Sequence, residues 1–211
     1  MTKYVYDFTE GNRDLKDLLG GKGANLSEMT NLGLPVPPGF VITTEACRTY
    51  LESGSSPVEL ENEISEHIAA LETQMGRKLG DSDDPLLVSV RSGAKFSMPG
   101  MMDTVLNIGL NDQSVHGLAK QGGHPRFAWD SYRRLLSMFG KTVLGVEGEL
   151  FEHALDVLKA SKNTTNDLDL DENDFQKLVE TYKGIIRDHA GIEFPQNSRE
   201  QLDLAVKAVF D

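Results

Sequence analysis

The hydrophobic pattern of this chain changes period at Asn107, and no other feature limits its possible folds as much. Before Asn107, short apolar runs alternate with breaks rich in glycine and proline. Tyr4 to Phe8 and Phe40-Val-Ile-Thr43 read as strands. Pro85-Leu-Leu-Val-Ser-Val90, rich in branched residues, reads as the clearest strand and as a buried one. From Asp112 to Asp211 almost everything has helical spacing. Phe127, Ala128, Tyr132, Leu135, Leu136 and Phe139 make one apolar face, and Leu150, Ala154, Leu155 and Leu158 a second. Phe175, Leu178, Val179, Tyr182, Ile185 and Ile186 make a third. Strands followed by a block of helices predict an α+β fold. The expected division is a mixed subdomain over 1–111, a helical subdomain over 112–196, and a last helix over 197–211 that returns to the first part.

Helices also punctuate the mixed part. Gly20 to Leu32 reads as a glycine-opened helix, with Ala24, Leu26, Met29 and Leu32 near one face. Asn31-Leu-Gly33 stops it, and Leu34-Pro-Val-Pro-Pro-Gly39 cannot continue it. Thr44 is placed to N-cap a helix running through Leu51. A long amphipathic helix is expected from Val58 to Met75, carrying Leu60, Ile64, His67, Ile68 and Leu71. At the other end, Leu202, Ala205, Val206, Val209 and Phe210 write out an apolar helical face, and the sequence stops there without a cap. That predicts a piece of a longer polypeptide, the alternative being a C-terminal helix docked on the body.

Composition narrows the function. A net charge of −12 argues against a nucleic-acid coat or an anionic membrane surface as partner. No run reaches the roughly 20 apolar residues of a membrane span. Cys47 is the single cysteine, so no internal disulfide can form, which fits a reducing compartment. Without an apolar segment at its start, the chain is expected to be cytoplasmic.

The candidate chemistry lies in the run Ser89-Val-Arg-Ser-Gly-Ala-Lys-Phe-Ser-Met-Pro-Gly-Met-Met-Asp-Thr104. It begins as a strand and turns into a loop with two glycines, a proline and several hydroxyls. An arginine at a strand end, beside a run of backbone N–H groups, suits a phosphate. Arg91 could equally make a structural salt bridge, with 33 acidic residues available. Gly20-Gly-Lys-Gly23 opens the first long helix, where free amides and the helix dipole attract anions. It is not a Walker A loop, which would need glycine at Lys16 and a hydroxyl residue at Gly23. Taken alone, Lys22 reads as an exposed loop lysine.

Other clusters resolve into ordinary structure. Arg134 follows Asp130 by four residues on a helix, the spacing of a surface ion pair. The acids Asp167 to Asp174 do not fit a calcium loop, because Glu172 and Leu178 occupy its glycine and glutamate positions. Asp171 as N-cap with Asp174 three residues on explains them as a helix start. The five histidines have no metal-ligand spacing, and His67 reads as a core or boundary residue. Cys47 reads as a small buried apolar residue.

Three stretches together resemble the N-terminal ATP-binding region of pyruvate, phosphate dikinases. They are Gly20-Gly-Lys-Gly-Ala-Asn-Leu-Ser-Glu-Met29, Leu34-Pro-Val-Pro-Pro-Gly-Phe-Val-Ile-Thr43, and Val90 through Asn107 with its Ser-Met-Pro-Gly-Met-Met-Asp-Thr loop. Phe127-Ala-Trp-Asp-Ser-Tyr-Arg-Arg134 and Met138-Phe-Gly140 look like the same family. The resemblance implies the first part of an ATP-grasp nucleotide-binding domain with a helical subdomain inserted. It implies an enzyme in which ATP gives a pyrophosphoryl unit to a histidine on a separate central domain, leaving AMP. Phosphate then takes the terminal group, and the remaining phosphoryl makes phosphoenolpyruvate from pyruvate. Carried onto this chain, Lys22, Arg91 and Arg134 would be the phosphate-binding cations, with Arg133 the alternative to Arg134. Gly100, Met101, Asp103 and Thr104 would belong to a loop closing over the phosphates. The Mg²⁺ ligands and the catalytic histidine are expected outside these residues. The implied partners are ATP and the rest of the polypeptide, in a homo-oligomer. Two other readings stand beside this one: a scaffold that lacks nucleotide affinity on its own, and part of a related phosphoenolpyruvate synthase-like enzyme.

Overall fold

A computed structural model describes residues 2–93 and 104–210. They form two compact units. The first takes the chain up to Gly76 together with Ser92, Gly93 and Phe210; the second takes Arg77–Arg91 and residues 104–209. Compactness therefore divides the chain elsewhere than at residue 111, because residues 77–91 and 104–111 belong with the helices. The architecture is helix-rich with three two-stranded sheets among the described residues, in keeping with an α+β chain.

In the first unit β1 (Val5–Asp7) pairs antiparallel with β2 (Phe40–Ile42), Val5 opposite Ile42 and Asp7 opposite Phe40. Helix α3 (Val58–Met75) has the bounds its periodicity predicts and buries Leu60, Ile64 and Ile68. It also holds β1 by a side chain: Glu63 accepts hydrogen bonds from the amides of Tyr4 and Val5, each at 2.8 Å. His67 sits at the boundary, 2.7 Å from Asp7 Oδ1 and with its ring 5.5 Å from that of Phe40. Helix α2 (Thr44–Ser53) starts one residue earlier than the expected cap allows. Thr43 is the N-cap, its hydroxyl accepting from the Ala46 amide at 3.3 Å, while Thr44 donates to the Asp17 carbonyl. Cys47 is half-buried rather than buried. The Phe210 ring lies 5.4 Å from that of Tyr50.

In the second unit the stretch Pro85–Val90 is not one strand. β3 (Lys78–Leu79) runs parallel to β4 (Pro85–Leu86), whereas β5 (Val88–Val90) pairs antiparallel with β6 (Val105–Ile108). The expected burial holds for Pro85 and Leu86 only; Val88 and Val90 are half-buried and Ser89 is exposed. A two-stranded ladder packs one face, so alternate side chains meet solvent. β6 packs on α5 (Pro125–Thr142), the central helix. Its Tyr132, Leu135, Leu136 and Phe139 are fully buried with Phe175, Tyr182 and Ile186 of α7 (Glu172–Ala190). Phe127 departs from the expected face and is 59% exposed. Successive helical residues turn by about 100°, which swings Phe127 off the face that begins with Ala128. At Gly140 a Cβ would lie 2.5 Å from Phe151, so α5 meets α6 (Gly148–Ser161) where only glycine fits. Asp171 and Asp174 form a reciprocal capping box at the start of α7, both bonds at 3.0 Å.

Two helices complete the second unit, α4 (Ser114–Gly122) and α8 (Ser198–Phe210). Gln201 of α8 is wholly buried and fully used. Its oxygen accepts from the Gly109 amide at 3.0 Å, and its nitrogen donates to the carbonyls of Leu110 and Pro195 at 2.9 and 2.8 Å. A buried amide side chain is tolerated only when its donors and acceptor are met in this way. Among the described residues no helix is long and apolar enough to cross a membrane.

Candidate functional site

Helix α1 (Lys16–Asn31) is interrupted at Gly20, whose φ of 68° and ψ of 173° are not helical. That region of backbone space is open essentially to glycine alone. A second helical segment starts at Gly21, so Lys22 stands in a first turn, where amides are left without helical partners. Lys22 is exposed, whereas Gly23 and Ala24 are buried on the opposite side. Gly23 faces Val41 of β2 so closely that a Cβ would come within 2.8 Å of it. The helix start therefore rests on the sheet by its glycine face and presents its lysine outward.

In the same unit Gly93 lies against that interruption. A Cβ on Gly20 would fall 1.5 Å from the Gly93 carbonyl oxygen, inside any possible contact. Ser92 beside it is 8% exposed. The two glycine-bearing stretches singled out in the sequence thus meet, backbone on backbone.

In the second unit the β5–β6 register places Val90 opposite Val105. Arg91 and Thr104, the next residues outward, leave the ladder at the same end. Arg91 is exposed and Thr104 half-buried. Neither Lys22 nor Arg91 forms an ion pair with another described residue, so the salt-bridge alternative for Arg91 finds no partner there. Gly100, Met101 and Asp103 lie outside the described residues.

The two adjacent arginines of α5 differ sharply. Arg133 is buried, with its guanidinium at 2.6 and 2.9 Å from Asp130 Oδ1, 3.5 Å from Asp167 and 5.5 Å from the Phe175 ring centre. Among the described residues Arg134 pairs with the other oxygen of Asp130 alone, at 3.0 Å, and its side chain is 57% exposed. Arg133 is bound into the core, and Arg134 has donors left for something else. Asp167 belongs to the same charge group: a hydrogen bond from Lys159, with Arg133 and Arg134 nearby, holds its carboxyl below the usual carboxylate range. Among the described residues no group of three or more His, Cys, Asp or Glu side chains could hold a metal ion.

Sequence reasoning treated Gly20 as a helix opener and missed its contact with Gly93. It also missed that one carboxylate serves both arginines. The spacing contained the second fact, since Asp130 stands three residues before Arg133 and four before Arg134. The first has no local signal beyond the glycines themselves.

Comparison with known proteins bears directly on these residues. A family model described as "Pyruvate phosphate dikinase, AMP/ATP-binding domain" matches residues 16–57 and 54–211. The chain is 52% identical over 212 residues to pyruvate, phosphate dikinase of Clostridium symbiosum, covering 100% of this chain and 24% of that protein. It is 54% identical over 214 residues to the chloroplastic pyruvate, phosphate dikinase of Flaveria trinervia, covering 99% of this chain and 22% of that protein. Against the Rhizobium meliloti (strain 1021) enzyme of the same name it is 52% identical over 215 residues, covering 100% and 24%. The chain thus spans about a quarter of the length of the curated relatives it matches.

Proposed function

The chain belongs to the pyruvate phosphate dikinase AMP/ATP-binding domain family, and on that premise we propose that it supplies the cationic half of an ATP-phosphate site in a dikinase. The observation that carries this reading is that the family match runs through Lys22, Arg91, Thr104 and Arg134 alike. The fold would be the first part of an ATP-grasp nucleotide-binding domain. In the whole polypeptide ATP would pass a pyrophosphoryl unit to a histidine on another domain. The overall products would be AMP, pyrophosphate and phosphoenolpyruvate, from ATP, phosphate and pyruvate.

Phosphoryl transfer depends on positioning and on neutralising charge at the phosphate oxygens. Three features support such a role for this chain. Lys22 projects from a helix start, Arg91 and Thr104 emerge together from one ladder end, and Arg134 retains free donors. Gly100, Met101 and Asp103 join the reading on resemblance alone. Mg²⁺ would supply charge neutralisation at the phosphates in the complete enzyme, and among the described residues no group of three or more His, Cys, Asp or Glu side chains could hold it. A cytoplasmic, homo-oligomeric parent belongs to the same reading, although plant relatives are named chloroplastic.

The test is Arg91→Ala in the full dikinase polypeptide containing this chain. Loss of one preorganised charge contact should slow ATP-dependent pyrophosphoryl transfer about 10²-fold. Transfer at the unmodified rate would reject the assignment. Calorimetry with Mg-ATP on the 211-residue chain separates the scaffold reading, which expects no heat of binding.

A further inference from the structure

The structure assigns Gly20 a positioning role: it is the seat on which Gly93 is held against the helix start that carries Lys22. This inference rests on the phosphate reading above but concerns a residue and a contact that the reading does not use.

Two independent features require glycine at position 20. The first is conformation, with φ 68° and ψ 173°, a combination closed to L side chains. The second is space, since a Cβ there would stand 1.5 Å from the Gly93 oxygen and 2.7 Å from its carbonyl carbon. Each alone would select glycine; together they mean that the helix interruption and the seating of Gly93 are one device. Gly93 itself has room, as its own Cβ would meet nothing closer than the Leu19 carbonyl at 3.8 Å. The constraint is therefore one-sided: Gly20 forms the surface and Gly93 rests on it. Lys22 is two residues beyond the seat on a helix start fixed by Gly23 against Val41. One short backbone contact thus fixes Gly93 relative to the helix start that carries the lysine. Misplacing reacting groups by about 1 Å can cost around 10²-fold in rate, so such a contact has catalytic weight without touching substrate.

The inference is tested at two levels. In the unmodified 211-residue chain, NMR should detect through-space contact between the α protons of Gly20 and Gly93. Its absence would overturn the seat without any substitution. Gly20→Ala should then speed amide exchange at Ser92 and Gly93 about tenfold or more. Gly11→Ala is the packing control: its Cβ presses on Leu19 and Ser27 of the same helix but not on Gly93. It should destabilise the unit and leave those two amides unchanged. In the full polypeptide, Gly20→Ala should raise the KM for Mg-ATP about tenfold, while Gly11→Ala does not. Faster exchange with an unchanged KM and kcat overturns the positioning role. Loss with Arg91→Ala but none with Gly20→Ala overturns this inference and leaves the phosphate reading intact. No loss with Arg91→Ala overturns the phosphate reading, and the proton contact then judges the seat alone. Should Gly20→Ala fail to fold, that same contact in the unmodified chain decides.

Discussion

The two units differ in the bulk of the side chains they bury. The second encloses large rings and branched chains: Tyr132, Phe139, Phe175 and Tyr182 are all within 1% of full burial. The first has a thinner core of Val5, Leu19, Ala24, Ala46, Leu60, Ile64 and Ile68. Both use glycine where backbones come close, Gly20 against the Gly93 carbonyl in the first and Gly117 against the Ser82 carbonyl in the second. Bulk confers stability, because each large buried side chain removes much apolar area from water. Close backbone contact gives position, because a glycine seat tolerates almost no displacement.

That contrast can be broken or sharpened by substitution. The largest effect should come from Phe139→Ala in α5, which empties a fully buried ring site between Phe194 and the helix pair and should cost about 4 kcal/mol in urea unfolding. A cost under 1 kcal/mol would mean the second unit is not held by bulk. In the first unit, Glu63→Ala should cost about 2 kcal/mol by leaving the buried Val5 amide without an acceptor. Glu63→Gln should recover most of that loss, since both amides share one oxygen. The smallest effect concerns pH. Burial raises the Asp174 pKa, but hydrogen bonds from the Asp171 amide and Lys162 outweigh it and hold the carboxyl below its ordinary value. A depressed carboxylate contributes stability above its unfolded pKa of about 3.9 and loses it as pH falls through the lower folded value. Asp174→Asn should therefore reduce stability slightly at pH 7 and flatten its decline below about pH 4. An unchanged acid limb would exclude that contribution.

The legible parts of the sequence were those governed by local period. Helix α3 and the faces of α5 and α7 follow from apolar spacing, and the Asp171–Asp174 box from two acids three apart. What escaped was decided by partners far away in sequence. Pro85–Val90 reads as one strand because period cannot say that Leu86 and Val88 pair with different strands, one parallel and one antiparallel. Thr44 reads as the cap because Thr43 closes the strand pattern before it, but the Thr44 hydroxyl donates to the Asp17 carbonyl and Thr43 takes the cap. Arg133 and Arg134, three and four residues after Asp130, both suit an ion pair with it until Phe175 and Asp167 close over the first. Lys22 and Arg91 were visible as cations, but the Gly20–Gly93 contact beside the helix start of Lys22 links residues with nothing but absent side chains to announce it.

Gln201 sets a schedule for the chain. The amide it satisfies belongs to Gly109, 92 residues earlier and immediately after β6. At ribosomal rates of about 5–20 residues per second, that acceptor emerges roughly 5–18 s after its donor. Throughout that interval the turn after β6 is held by Ser114, whose hydroxyl donates to the Gly109 carbonyl at 2.8 Å, while the Gly109 amide lacks its Gln201 acceptor. A nascent chain paused before residue 201 would thus keep the local bond and miss the distant one.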